Sequence, residues 1–160
     1  MDWFVAITGM YSNTEPERYP RFYSPAELPE IEVAEGKLGS DFPAELRHVL
    51  SCTDGVEEVL VHVTGDVATG WLIWPVSQIV RENRLVRNAS LSTTAQELIR
   101  GVLFFASAGA DGILFGYQST EQADGRRAIA AWNPLEESLV PIGYDLEPFL
   151  QQWVSGSIKL

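Results

Sequence analysis

The sequence predicts a single α+β domain, a mainly antiparallel twisted sheet flanked by helices. Three observations carry this. Helical spacings and strand-like runs come in clusters, without the strand–helix–strand alternation that winds a parallel sheet. A polar stretch from Gln122 to Arg126, with Asp124-Gly125 inside it, joins two apolar runs as a hairpin. The chain has 160 residues, 46% of them hydrophobic and five of them tryptophan, which is one domain's length with ample apolar mass for a core.

Taken in order, Trp3 to Met10 reads as a strand. Ser12 to Pro20 holds two prolines and little apolar content, and reads as a loop. Residues 1–23 then form an extension ahead of a main domain at 24–160, either an extra edge strand or a partner-specific addition. A helix is expected over roughly 28–38, with Ile31, Val33 or Ala34, and Leu38 on one face. Gly39 stops it because glycine tolerates a positive φ. Asp41 is placed to cap the next helix, over 42–51, with Pro43 in the first turn where no N–H is needed. Phe42, Leu46, Val49 and Leu50 share a stripe, and Asp54-Gly55 closes the unit as a turn.

Val59 to Val63 reads as a strand, Thr64 to Gly70 as a flexible turn, and 71–74 as the next strand. Pro75 opens a helix burying Val76, Ile79 and Val80, with Asn83 on the same face. Thr94 and Glu97 have capping-box spacing for a short helix ending near Gly101. Strands follow at 102–107, 112–118, 128–132 and 139–142. Asp145 caps a last helix that buries Leu146, Phe149, Leu150 and Trp153. One sheet is expected to contain the segments from 59 to 132. Leu46, Val49, Leu50, Ile79, Phe105, Leu114, Phe149 and Trp153 are expected to be mostly buried.

Four blocks in this order resemble the SUKH superfamily, which groups cell-wall assembly regulators of the SMI/KNR type with bacterial toxin-immunity proteins. The first is Leu38-Gly39-Ser40-Asp41-Phe42-Pro43 with Asp54-Gly55 after one short helix. The second is Gly70-Trp71-Leu72-Ile73-Trp74-Pro75-Val76, with Glu82-Asn83 later on its helix. The third runs from Leu103 to Phe115, and the fourth is Ile142-Gly143-Tyr144-Asp145-Leu146-Glu147-Pro148-Phe149-Leu150. In the third block Ala110 breaks the family's glycine run, and Gly116 or Tyr117 stands where an Asp is usual. The resemblance implies an SMI/KNR-like α+β fold and a protein-binding function, either immunity against a toxin or a regulatory scaffold with no toxin partner.

The residues themselves offer little chemistry. His48 and Cys52 are four apart and could share a helix face, but a helix C-terminus disfavours a thiolate, so Cys52 reads as a small buried residue. The sole cysteine also excludes an internal disulfide. His48 and His62 are the only histidines, no metal-ligand spacing or Asp-x-Asp cluster occurs, and no metal or cofactor is expected. The turns Gly65–Gly70 and Gly109–Gly112 lack phosphate-loop spacing. Glu57 and Glu58 would point to opposite faces of a strand and cannot share a substrate. No catalytic residue is identified and no enzyme is expected.

Charge points to the partner class. The net charge of −11 repels nucleic-acid backbones and anionic membranes and attracts a basic protein. Acidic residues crowd the first half, whereas Arg81, Arg84 and Arg87 make one later helix basic. The candidate protein-binding residues are Glu35, Asp54, Glu57, Glu58, Trp71, Trp74 and Asp111. The two tryptophans, three apart on a strand end, face opposite sides of it; a core role is the favoured reading for both, and a partly exposed one serving as a partner anchor is the alternative. Asp111-Gly112 reads as a structural turn, with partner contact by its loop as a second possibility. The apolar run Trp3-Phe4-Val5-Ala6-Ile7 lacks a basic flank and is too short to span a membrane, so a cytoplasmic location is expected.

Overall fold

The first apolar run is a helix, not a strand. In the computed structural model, which describes residues 1–109 and 111–160, α1 covers Trp3–Met10. Asp2 starts it by accepting the Val5 N–H at 3.2 Å. Trp3, Ile7 and Met10 then recur at helical spacing on the buried face, while Phe4 and Val5 are left exposed. Aromatic and β-branched content suggested a strand, and burial along one helical stripe overrides it.

The loop expected up to Pro20 gives way to a strand, β1, at Arg18–Phe22. It lies at a sheet edge, where a proline costs no ladder bond. Next come α2 (Leu28–Leu38) and α3 (Ala44–Cys52), with β2 at Val56–Leu60 and β3 at Val67–Ile73. The strand expected at 59–63 is therefore shifted earlier, and residues 61–66 form the exposed connection. The remaining elements are α4 (Val76–Arg87), α5 (Thr93–Arg100), β4 (Val102–Ser107), β5 (Leu114–Glu121), β6 (Arg127–Asn133), β7 (Ser138–Gly143) and α6 (Leu146–Val154).

The strands build two antiparallel sheets rather than one, ordered β1-β2-β3 and β4-β5-β6-β7. A break in β4 explains the division. Its register against β5 shifts between Phe104 and Ala106. The Phe105 carbonyl instead accepts the Trp74 N–H at 2.9 Å, just beyond the end of β3. That contact joins the two sheets at a corner. A single hydrophobic cluster nevertheless runs beneath both, drawing on α1 through α6.

Helix ends follow the sequence only in part. Gly39 ends α2 at φ +64°, in the left-handed region. Pro43, not Asp41, occupies the N-cap position of α3, and the Asp41 carbonyl receives Arg127 at 2.9 Å. Ser92, not Thr94, caps α5, accepting the Ala95 N–H at 3.1 Å. Asp145 sits at the N-cap of α6, but its carboxylate pairs with Arg126 at 3.1 Å. The Leu146 N–H goes to Glu45 instead, at 2.9 Å. Leu46, Val49, Leu50, Ile79, Phe105 and Phe149 are buried as expected. Leu114 and Trp153 are only half-buried, Leu114 because it opens β5 next to an exposed turn. Among the described residues, no helix is long and apolar enough to cross a membrane.

Candidate protein-binding face

The outer face of the first sheet begins at a turn. Thr53, fully buried at the end of α3, accepts the Tyr23 N–H and donates to the Gly55 carbonyl, both at 2.8 Å. The Asp54 N–H donates to the Ser24 carbonyl at 2.9 Å. These bonds press the Asp54-Gly55 turn against the chain leaving β1. Gly55 has φ +91°, and a Cβ there would lie 2.8 Å from the Pro75 nitrogen and 2.9 Å from Trp71 Cζ3. Only glycine lets the Trp71 indole settle over this turn.

Asp54 does a helix-capping job remote from its own helix. Its Oδ1 accepts the Val76 N–H at 2.7 Å, at the start of α4. Desolvation pushes its carboxyl above the usual aspartate value and nearby Glu30 adds to this, while the Val76 N–H opposes it.

Across the strands, Arg21 of β1 faces Glu57 of β2, which faces Trp71 of β3. Glu57 accepts Arg21 at 3.0 Å and the Tyr23 hydroxyl at 2.6 Å. The Tyr23 ring lies 5.4 Å from the Trp71 ring. Tyr19, two residues before Arg21, extends the row and donates to Asp66 at 3.0 Å. With Tyr23 40% exposed and Trp71 half-buried, the result is an accessible Tyr-Arg-Tyr-Trp platform with Asp54, Glu57 and Asp66 along it.

The structure thus brings together Asp54, Glu57 and Trp71 and separates the other candidates. Trp74, 2% exposed, is in the core, whereas Trp71 is half-buried, so the core role favoured for both holds for Trp74 alone. Glu58 faces away from Glu57, receiving Arg18 at 2.9 Å, the Tyr11 hydroxyl at 3.1 Å and Thr69 at 3.0 Å. Arg18 also reaches the Val154 carbonyl at 2.9 Å, so this cluster ties the sheet to α6. Burial, then Glu58, pushes the Tyr11 hydroxyl upward. Glu35 buttresses the α2–α3 corner, accepting Phe42 N–H at 2.9 Å and Arg47 at 3.1 Å. Asp111 is exposed in the β4–β5 turn at φ +59°, followed by Gly112 at φ +68°; the preceding Ala110 lies outside the described residues.

Sequence reading missed Tyr19, Arg21 and Tyr23. Their signal was the period-two spacing of Tyr, Arg and Tyr, masked by the loop signature of Pro16 and Pro20. It also missed a second polar cluster, where Glu45 accepts the Tyr117 hydroxyl and the Leu146 N–H, both at 2.9 Å. Burial pushes the Glu45 carboxyl up against the opposing pull of those two donors. Each of its oxygens serves a structural donor, so this carboxylate anchors α6 on α3 and β5. Of the pair considered for nucleophilic chemistry, His48 Nδ1 accepts the Trp3 indole N–H at 3.2 Å, and Cys52, expected to be buried, is half-buried because it ends α3. Among the described residues, no group of three His, Cys, Asp or Glu could hold a metal ion.

Residues 25–152 match the family model described as the SMI1 / KNR4 family (SUKH-1). A search of curated proteins gives no match.

Proposed function

Since the chain belongs to the SMI1 / KNR4 family (SUKH-1), we propose that it is a non-catalytic protein-binding domain of the immunity type, which docks on a basic bacterial toxin in the cytoplasm and blocks it. The observation that carries this reading is the Tyr19–Arg21–Tyr23 row stacked beside Trp71. Tyr, Trp and Arg dominate the energetics of protein interfaces because they bury large rigid surfaces with polar handles. Here they form one accessible platform instead of being scattered.

The origin of the platform supports a partner-specific role. Tyr19, Arg21 and Tyr23 precede the residues that match the family model, whereas Glu57 and Trp71 lie within them. A family scaffold supplies one half of the face and the N-terminal extension the other. The net charge of −11 favours a basic partner and speeds its capture. The test is co-expression with a toxin domain encoded by the adjacent gene. Protection of the host by the wild-type chain, lost in the double variant Tyr23→Ala/Trp71→Ala that still folds, supports the reading. Stable partner binding without any protection would instead assign a regulatory scaffold.

A further inference from the structure

Most cations of this chain are neutralised by carboxylates. Arg18, Arg21, Arg47, Arg81, Arg126 and Arg127 each lie within 4.0 Å of at least one. Among the described residues Lys37, Arg84, Arg87, Arg100 and Lys159 have no such partner, although acidic residues outnumber basic ones 22 to 11, and of these five Arg87 and Arg100 share a cavity. Both line one cleft of about 520 Å³, between the C-terminal ends of α2, α4 and α5 and the start of β4. No acidic side chain lines it. Glu97, one turn before Arg100 on α5, makes no ion pair with it.

Arg87 is held at the cleft by the backbone of α2. One of its terminal nitrogens donates to the Leu38 carbonyl at 2.9 Å, which holds the guanidinium against the end of α2. Its Nε is buried and has no hydrogen-bond partner, as is also true of Arg18 and Arg47, but Arg87 alone of the three also lacks a carboxylate neighbour. Leaving such a donor unpaired is costly, and more so on a charged group. Desolvation lowers its pKa, as expected for a cation without a counter-charge. Ser40 and Ser119 add hydroxyls to the cleft, and Ile99 and Val102 add apolar wall.

We propose that this cleft binds a phosphate-type oxyanion, with Arg87 and Arg100 as its charged ligands and the two serine hydroxyls as further donors. Two guanidinium groups with hydroxyl donors match the several oxygens of a phosphate. The volume falls within the range of small-molecule sites, so free phosphate and the phosphate ester of a small molecule both fit. The site is independent of the aromatic platform, which lies on the other sheet, and the proposal does not rest on the immunity reading.

The experiment is an amide-resolved NMR titration of the full chain with inorganic phosphate at constant ionic strength. A second arm uses glycerol phosphate, and sodium chloride is the control. Saturable shifts at Ser40, Gly101 and Ser119 are expected with phosphate but not with chloride. Tighter binding of the ester would show that the apolar wall contributes, and equal binding would assign free phosphate. The Arg100 side chain makes no hydrogen bond or ion pair among the described residues, so Arg100→Gln should fold normally and weaken binding about tenfold or more. Arg87→Gln should do the same and serves as the second variant. The proposal is overturned by the absence of a saturable shift, by an equal response to chloride, or by wild-type affinity in both folded variants.

Discussion

Asn83 pairs with Phe104 as a neighbouring strand would. Its side-chain carbonyl accepts the Phe104 N–H at 3.0 Å, and its amide donates to the Phe104 carbonyl at 2.7 Å and to the Ile79 carbonyl at 2.8 Å. β4 is an edge strand of its sheet, so these Phe104 groups point away from the ladder. Asn83, fully buried on α4, satisfies both and fastens the helix to the sheet. The sequence placed Asn83 on an apolar helix face; the backbone it bonds there is that of a strand and of its own helix.

Replacing Asn83 by leucine keeps the volume and orphans both Phe104 groups. Each unsatisfied buried group costs about 1–3 kcal/mol, so the variant should lose about 3 kcal/mol in urea denaturation. A loss below about 1 kcal/mol would show that water or a backbone shift replaces the pairing.

Phe149 is the pin of the closing helix. Its ring meets Phe105 edge-on at 5.7 Å and Phe115 at 5.0 Å, and it is almost wholly buried. Phe149→Ala should cost about 3–5 kcal/mol by the usual large-to-small range. Denaturant unfolding measures this directly, and a cost under about 1 kcal/mol would mean α6 docks without it.

Glu45 gives a pH dependence opposite to that of a salt-bridged carboxylate. Its folded-state pKa is raised above the ordinary 4.5, so in the window above 4.5 the folded chain binds more protons than the unfolded one. Stability therefore falls as pH rises through that window. Glu45→Gln does not titrate, so the stability of the wild type relative to this variant should decline from below pH 4.5 upward. A difference that grows with pH would mean that the Tyr117 and Leu146 hydrogen bonds outweigh burial.

Local geometry was legible in the sequence where a residue's own backbone decides it. Gly39, Pro43 and the Asp54-Gly55 turn marked the α2–α3 corner, and the odd spacing of Trp71 and Trp74 put them on opposite sides of the strand without showing that Trp71 is left half-exposed. The carboxylates were not legible in the same way. Glu45 serves Leu146, 101 positions on, and Asp54 serves Val76, 22 positions on. Such partnerships depend on tertiary proximity that no local pattern encodes. The N-terminal helix was hidden because Trp-Phe-Val-Ala-Ile has strand composition, and Asp2 was too short a signal to outweigh it. The division of the sheet turned on a single irregularity at Phe105, which leaves no trace in residue type.

The Tyr23–Trp71 platform is proposed to hold a basic partner. Its most direct test is the association and dissociation kinetics of the partner recovered on the immobilised full chain, measured at two salt concentrations. Charges beyond about 8 Å are screened at physiological salt, so the wild-type on-rate should fall as salt rises. Trp71→Ala should leave the on-rate nearly unchanged and raise the off-rate about tenfold or more, as expected of a buried aromatic anchor. A folded Trp71→Ala chain that releases its partner at the wild-type rate would contradict the account and place the binding surface elsewhere.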